Sequence, residues 1–158
     1  MARRRSANKV WLDSSRGGAG ADARGDRLVR RSARFFKVLK LAGVELSLSL
    51  VRDAEIRQLN ALWRRKDEAT DVLSFPAGEM PGPGRRVLGD VVISLETARR
   101  AAKAFGTTLD DELDLYLAHG LLHLLGYEHH TRPAAREMEA LERKLLGRPS
   151  MLSRSDEL

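Results

Sequence analysis

All four histidines of this 158-residue chain lie in one twelve-residue segment, HGLLHLLGYEHH, which runs from His119 to His130. His119 and His123 are four residues apart, so on a helix both imidazoles lie on one face and can bind the same ion. Gly126 predicts the end of that helix, because glycine accepts the left-handed backbone conformation. A turn at this glycine can bring His129 back as a third nitrogen ligand. The segment therefore predicts a metal site, and three neutral imidazoles with an open fourth position are typical of zinc.

The fourth histidine, His130, directly follows His129 and would point away from an ion that His129 binds. We therefore predict a surface or outer-shell role for His130, with its replacement of His129 in the site as the alternative. A second alternative is that the histidines bind no metal and instead cap or pack the end of a buried helix. Three histidines at ligand spacing, with a helix-ending glycine before the third, favour metal binding.

The spacing HxxxHxxGxxH is also that of the metzincin zinc peptidases, but Gly120 stands where those enzymes carry a glutamate. In a zinc peptidase that glutamate takes the proton from the water at the metal. Its absence argues against peptide hydrolysis and leaves metal binding intact. A zinc-dependent peptidase or amide hydrolase therefore stays only as an alternative.

Length and composition predict one metal-dependent hydrolase domain over residues 1–158, with 42% hydrophobic residues and a core of its own. The chain has no cysteine, so neither disulfides nor thiolate ligands are available. No apolar run has the length needed to cross a bilayer, and the segment MARRRSANK lacks the apolar part of a secretory signal. These features predict a cytoplasmic protein without a membrane partner.

Positive charge is concentrated in the first part of the chain. Residues 1–40 hold 12 Lys and Arg against 3 Asp, a net charge of +9, while residues 41–158 hold 16 against 19 Asp and Glu, a net charge of −3. Such a segment attracts phosphate backbones without sequence preference. A solvated arginine-rich face is the alternative, so the charge supports RNA binding without establishing it.

The apolar patterns predict the order β, α, β, α, β, β, followed by three helices. The predicted elements are a strand over 9–13, a helix from Asp26 to about Leu41, a strand over 44–50, a helix capped by Asp53, strands over 72–75 and 88–93, and helices that begin at Ser94, Thr108 and Pro133. We predict a flexible loop outside the core over about 14–26, a loop over 77–86 and a tail over about 147–158. The fold class is α+β, with a single mixed sheet of about four strands covered by helices and the zinc site at the end of a central helix.

One detail concerns the helix after Asp53. In it, Ile56, Leu59, Asn60 and Trp63 share one face at helical spacing.

Three segments resemble the YbeY-type endoribonucleases, which mature ribosomal RNA: HGLLHLLGYEH at 119–129, LNALWRRKDEATDVLSFP at 59–76 and LGDVVIS at 88–94. The resemblance implies that the histidines at 119, 123 and 129 bind a single zinc ion. It also implies that Arg64 is the functionally required arginine of this family, with Lys66 beside it. An arginine fork facing a zinc-bound water suits a phosphodiester, because it holds two phosphate oxygens and stabilises added negative charge.

Two departures from the family pattern stand out. Glu128 replaces an aspartate before the third histidine, which preserves the charge, and residues 14–26 resemble an insertion. By resemblance, the activity is single-strand-specific, metal-dependent RNA cleavage that matures the 3′ end of small-subunit ribosomal RNA in ribosome biogenesis and quality control. The implied partners are that RNA, the small ribosomal subunit and assembly factors.

The general base stays open among the zinc-bound hydroxide, Glu128 and Asp71. A zinc-stabilised ribosome-assembly adaptor without catalytic activity remains a further alternative. The oligomeric state does not follow from the sequence.

Overall fold

The computed structural model describes residues 7–78 and 86–148. Within these ranges the elements follow the predicted order. They are β1 (Lys9–Asp13), α1 (Ala21–Val38), β2 (Val44–Val51), α2 (Asp53–Arg64), β3 (Val72–Pro76), β4 (Arg86–Ser94), α3 (Leu95–Phe105), α4 (Leu109–Leu124) and α5 (Arg132–Leu146). No helix in the described part of the chain is both long and apolar enough to span a membrane.

The four strands form one mixed sheet in the order β1-β2-β4-β3. Strands β1, β2 and β4 are parallel to their neighbours, and β3 pairs with β4 in the antiparallel direction. The predicted α+β class and four-stranded mixed sheet are therefore confirmed. Strand β3 lies at an open edge, where the proline that ends it is tolerated because no neighbouring strand needs its missing N–H.

The two faces of the sheet are covered unequally. Leu46, Leu48 and Leu50 of β2 point to the larger core, which they share with helices α1, α3, α4 and α5. On the other face, Val92 and Leu73 pack against Ile56 of α2 in a smaller core. Helix α4 is central, because it contacts α1, α3, α5 and the sheet, and most of its residues are buried.

Charged side chains join α1 to α4. Arg27 holds both carboxylate oxygens of Asp114 at 2.8 Å, and Arg31 lies 3.4 Å from the same carboxylate. Arg24 pairs with Asp110 at 2.5 Å. Several of the basic residues counted in the first forty thus serve the packing of two helices.

The predicted loop over 14–26 is wrong from Ala21 onward, where α1 already begins. Ala21 is 1% exposed, and Gly25 packs so tightly on β1 that a β-carbon there would lie 2.8 Å from Cδ2 of Leu12. Small residues let this turn of the helix approach the strand closely, and the same small residues give the segment its loop-like composition. The helix also ends at Val38, before the predicted end at about Leu41.

Helix α2 corrects one further detail. Asp53 is its first residue rather than its cap, and its carboxylate accepts hydrogen bonds from Ser94 Oγ at 2.6 Å and Thr97 Oγ1 at 2.7 Å. Trp63, which shares one face of the helix with Ile56 and Asn60, is 65% exposed. The helix ends beside the edge strand β3, and among the described residues no helix or strand covers the tryptophan.

The other helix boundaries follow the sequence closely. Ser94 and Thr108 cap α3 and α4 as predicted, each through its side-chain oxygen. Thr131 caps α5, in which Pro133 is the second residue, and Gly147 ends it. Strand β4 begins at Arg86, the last residue of the predicted loop over 77–86. Most of that loop, at 79–85, and most of the predicted tail, at 149–158, lie outside the described residues.

Candidate active site

The side chains of His119, His123 and His129 converge at the carboxyl end of α4. One nitrogen of each ring lies within 4.8 Å of the others, which is a group that could hold a metal ion. The ring centroids of the two helical histidines are 4.5 Å apart, and that of His129 lies 5.8 and 5.5 Å from them. The turn after the helix thus brings the third imidazole back to the first two.

Hydrogen bonds set the tautomers of the two helical histidines. Nδ1 of His123 lies 3.0 Å from the carbonyl oxygen of Tyr127, which can only accept, so this nitrogen carries the proton. Nδ1 of His119 lies 2.5 Å from Oε1 of Glu142 and donates in the same way. Both Nε2 atoms are then left with lone pairs, and they face one another at 2.9 Å. Two lone pairs at this distance repel unless a cation lies between or beside them, so the residues fit a metal ion.

Glu142 is a site residue that the sequence reasoning missed. It lies in α5 with its side chain fully buried, and it orients His119 through the Nδ1 hydrogen bond. A carboxylate behind a metal-binding imidazole is a common arrangement, because it holds the ring and raises its basicity as a ligand. The available signal was a glutamate four residues after Met138 and three before Leu145, on the buried face of an amphipathic helix.

The turn at Gly126 connects the end of α4 to the candidate metal site. The N–H of Tyr127 donates to the carbonyl of Leu122, and the N–H of Gly126 donates to that of His123, both at 3.0 Å. With a φ of 95° at the glycine, this is a Schellman motif. The same turn presents the Tyr127 carbonyl to His123, so the predicted glycine both ends α4 and positions a ligand.

Burial favours the neutral, ligating form of His123. Its partial desolvation, assisted by the positive charge that His119 and His129 carry when protonated, lowers the pKa of His123 from 6.5 to about 4. The ring is therefore neutral at neutral pH and needs no proton loss before it binds an ion.

Gly120 lies where helix α4 approaches the sheet most closely. A β-carbon at this position would lie 2.9 Å from Cγ1 of Val91 and 3.2 Å from Oγ of Ser74. The glycine therefore permits close packing of α4 on β3 and β4. A glutamate here would require Val91 or the helix to shift, so packing as well as sequence argues against the peptidase base.

The three histidines open into a cleft of about 600 Å³ between α4, the turn after it, the end of α2 and the edge strand β3. It brings together all the candidate ligand, phosphate-binding and base residues of the sequence analysis. The lining residues are Arg64, Lys66, Asp71, His119, His123, Glu128, His129 and His130, together with Val72, Leu73, Ser74 and Pro76. His130 is exposed, and its Nε2 lies 3.6 Å from Glu128 Oε2. It stands outside the group of three ligand nitrogens.

Arg64 reaches the cleft from the last position of α2. One Nη atom donates to the carbonyl of Ser74 at 2.7 Å, and the guanidinium carbon lies 5.7 Å from the centre of the Phe75 ring. A guanidinium has five N–H donors, so this anchored side chain retains donors for a phosphate.

The turn after α2 places Lys66 at the same cleft. Arg65 adopts the left-handed conformation, and the N–H of Lys66 donates to the carbonyl of Asn60 at 3.2 Å. The Asn60 side chain in turn donates to the carbonyl of Glu68 at 2.9 Å. The asparagine of the segment LNALWRRKDE thus supports the turn that presents the two cations.

The two carboxylates that could act as a base differ in environment. Asp71 accepts a hydrogen bond from the N–H of Val72 at 2.7 Å, and Thr70 Oγ1 lies 3.3 Å away. Glu128 is more exposed and lies in the turn between the second and third histidines. Both carboxylates line the cleft.

A family model described as "Endoribonuclease YbeY" matches residues 22–149. Similar proteins named endoribonuclease YbeY include one from Myxococcus xanthus, 59% identical over 132 residues that cover 82% of this chain and 45% of that protein. Another, from Anaeromyxobacter dehalogenans, is 55% identical over 75% of this chain and 61% of its own length. A third, from Aquifex aeolicus, is 47% identical over 67% of this chain and 70% of its own length. The chain therefore spans only about half of the first relative and about three fifths of the second.

The fold has a counterpart among solved structures. The solution structure of TM1509 from Thermotoga maritima superimposes with a TM-score of 0.57 over 94% of this chain and 93% of that chain, at 24% identity. This likeness concerns the fold alone. Together with the match over residues 22–149, the sequence relatives confirm the resemblance that the three motifs predicted, and the chain belongs to the YbeY endoribonuclease family.

Proposed function

We propose that this chain is a zinc-dependent endoribonuclease that hydrolyses phosphodiester bonds in single-stranded RNA, and that it matures the 3′ end of small-subunit ribosomal RNA. The observation that carries the proposal is a single cleft that holds both the three-histidine group and the anchored guanidinium of Arg64. Membership of the family supports the same reaction.

In the proposed mechanism, His119, His123 and His129 would hold one zinc ion. The ion would supply Lewis-acid chemistry for the activation of a water molecule in the cleft. The chain prepares this site through Glu142 and the Tyr127 carbonyl, which keep protons on the outer ring nitrogens and direct both Nε2 atoms inward.

The phosphate is bound by the opposite wall of the cleft. Arg64 is held by the Ser74 carbonyl and offers its remaining N–H groups to two phosphate oxygens, while Lys66 adds a second positive charge. These groups stabilise the negative charge that develops at phosphorus. Glu128 and Asp71 are the carboxylates within the same cleft that can accept a proton from the attacking hydroxyl.

The proposed partners are small-subunit ribosomal RNA, the small ribosomal subunit and its assembly factors. A cleft open at the edge of the sheet suits a single strand, whose backbone can thread through it, better than a rigid duplex. A ribosomal RNA substrate would place the reaction in the cytoplasm, as the sequence predicts.

A peptidase or amide hydrolase is disfavoured, because the packing of Gly120 on Val91 leaves no room for the peptidase glutamate. The other alternative is a ribosome-assembly adaptor without catalytic activity. On this alternative, zinc would serve only to stabilise the fold, and the purified protein would cut no RNA.

The test compares wild type, His123→Ala, Arg64→Ala and Arg64→Lys on a precursor RNA that carries the 3′ end of the small-subunit RNA. Metal content is measured on the same preparations, and His130→Ala serves as the histidine control outside the ligand group. We expect His123→Ala to lose both metal and cleavage, and Arg64→Ala to keep metal and lose cleavage. Arg64→Lys should be impaired, because lysine keeps the charge and lacks the two-pronged geometry.

Failure of wild type to cut RNA with zinc bound would overturn the proposal. Undiminished cleavage by metal-free His123→Ala would overturn it as well.

A further inference from the structure

A large aromatic side chain lies open to solvent beside the candidate active site. Trp63 is 65% exposed and its neighbour Leu62 is 71% exposed, although both lie in the last turn of α2. Tryptophan is highly buried on average, and an exposed one next to a polar cleft is typical of a binding surface. Nothing in the described part of the chain covers this ring.

Phe75 links Trp63 to the cleft. Its ring centroid lies 6.4 Å from that of Trp63 in an edge-to-face arrangement, and the Arg64 guanidinium carbon lies 5.7 Å from the same ring. Arg64 in turn binds the carbonyl of Ser74 and lines the cleft. The Trp63 ring and the proposed phosphate-binding guanidinium of Arg64 therefore both lie against the Phe75 ring, which belongs to the edge strand β3.

Charge identifies the kind of ligand that this aromatic surface fits. Arg64 and Lys66 flank the approach to the cleft, and neither has a carboxylate partner among the described residues. An aromatic face next to unpaired cations matches the chemistry of a nucleotide, which offers a π face and a phosphate a few ångströms apart. The same combination does not suit an apolar protein partner, which would leave the cations unpaired.

We propose that the indole of Trp63 is a stacking platform for one unpaired base of the RNA, next to the phosphate that Arg64 holds. This inference rests on the proposed ribonuclease function and adds a residue that determines specificity for single strands. A base within a duplex has both faces covered by its neighbours, so only an unpaired base can stack on the ring. Trp63 would thus select the strand type and contribute affinity without sequence preference.

The chain contains a matched control. Trp11 is also exposed, at 53%, but it lies in β1 at the opposite edge of the sheet, and Lys9 Nζ sits 3.5 Å above its ring. The experiment compares wild type, Trp63→Ala, Trp63→Phe and Trp11→Ala in the full chain. Each protein is titrated with a short single-stranded oligoribonucleotide whose 2′-hydroxyls are methylated to slow cleavage, and with an abasic oligomer of the same length and charge. Circular dichroism and thermal unfolding verify that the variants are folded.

We expect Trp63→Ala to weaken binding of the base-containing oligomer by about 5- to 150-fold, the range for loss of one stacked base. Trp63→Phe should retain most of the affinity, and Trp11→Ala should bind as wild type does. With the abasic oligomer, wild type and Trp63→Ala should bind equally, because no base is available to stack. Wild type should prefer single strand over duplex more strongly than Trp63→Ala does.

Equal binding of the base-containing oligomer by wild type and Trp63→Ala would overturn the inference. An equal loss with the abasic oligomer would also overturn it, because Trp63 would then support the protein surface and stack on nothing. If wild type cuts the precursor RNA but Trp63→Ala shows no base-dependent loss of binding, the stacking inference is wrong and the proposed function stands. If wild type neither binds nor cuts RNA, both the stacking inference and the proposed function are wrong.

Discussion

Oε1 of Glu142 lies 2.5 Å from Nδ1 of His119, and the glutamate side chain is fully buried. The contact joins α5 to α4 at the point where the candidate metal ligands converge. Burying a carboxylate is costly unless it is paired and hydrogen-bonded, so its position behind the imidazole is a strong indication of its role. It holds His119 in the tautomer that directs the Nε2 lone pair toward the candidate metal site.

Replacing Glu142 by glutamine should therefore weaken zinc binding while leaving all three histidines in place. We expect a loss of about 10- to 100-fold in zinc affinity, because the amide is a poorer acceptor for the Nδ1 proton. Competition titration with a chromogenic chelator measures it. Glu139→Gln on the same helix is the control and should bind zinc as wild type does. Unchanged affinity in Glu142→Gln would contradict this role.

Gly120→Ala should destabilise the fold, because the added methyl would press on Val91 Cγ1 at 2.9 Å and Ser74 Oγ at 3.2 Å. Overpacking of this kind costs about 1–3 kcal/mol, more than the ~1 kcal/mol by which alanine improves helix propensity. The free energy of unfolding in urea gives the comparison. Gly78→Ala, where a β-carbon would meet nothing within 4 Å, should change it little. A Gly120→Ala protein as stable as wild type would show that the helix can move off the sheet.

Asp53 should make stability depend on pH in the acid range. Burial raises the pKa of its carboxyl, but hydrogen bonds from Arg100, Ser94 and Thr97 outweigh burial and lower the pKa from 3.8 to about 2. Because the folded pKa is the lower one, the stabilisation is present above about pH 4 and is lost as the pH falls through 2. It amounts to about 1–2 kcal/mol, since Arg100 is exposed and solvent screens its charge.

The measurement is the difference in unfolding free energy between wild type and Asp53→Asn at several pH values. We expect a difference that is constant from pH 7 to about pH 4 and shrinks toward pH 2. A difference that stays constant throughout would mean that Asp53 has the same pKa in the folded and unfolded chain.

Removal of zinc should abolish RNA cleavage and leave the protein folded. The main core is built from apolar residues of the sheet and the helices, whereas His119 and His123 are only partly buried and His129 is exposed. Circular dichroism after chelation should keep its helical signal, and added Zn²⁺ should restore cleavage. Unfolding on chelation would assign the ion a structural role and favour the adaptor without catalytic activity.

Local patterns in the sequence determined the order of the elements, their types and most helix ends. Caps such as Ser94 and Thr108 act within one turn, and the glycine at 126 ends its helix because of its own backbone freedom. The spacing of the three histidines also predicted that they converge, because it is a local property of the helix and of the turn that follows it.

Only the tertiary structure decided what depends on packing between distant segments. The order of the strands, the approach of Glu142 to a histidine 23 residues earlier and the tight contact of Gly120 with β4 leave no periodic trace in the chain. The small residues at the start of α1 have the composition of a loop. They are buried because β1 packs against them and not because they are hydrophobic. Trp63 shares a face with Ile56 and Asn60 at helical spacing but stays exposed, because periodicity alone does not report which turns of a helix are covered by their neighbours.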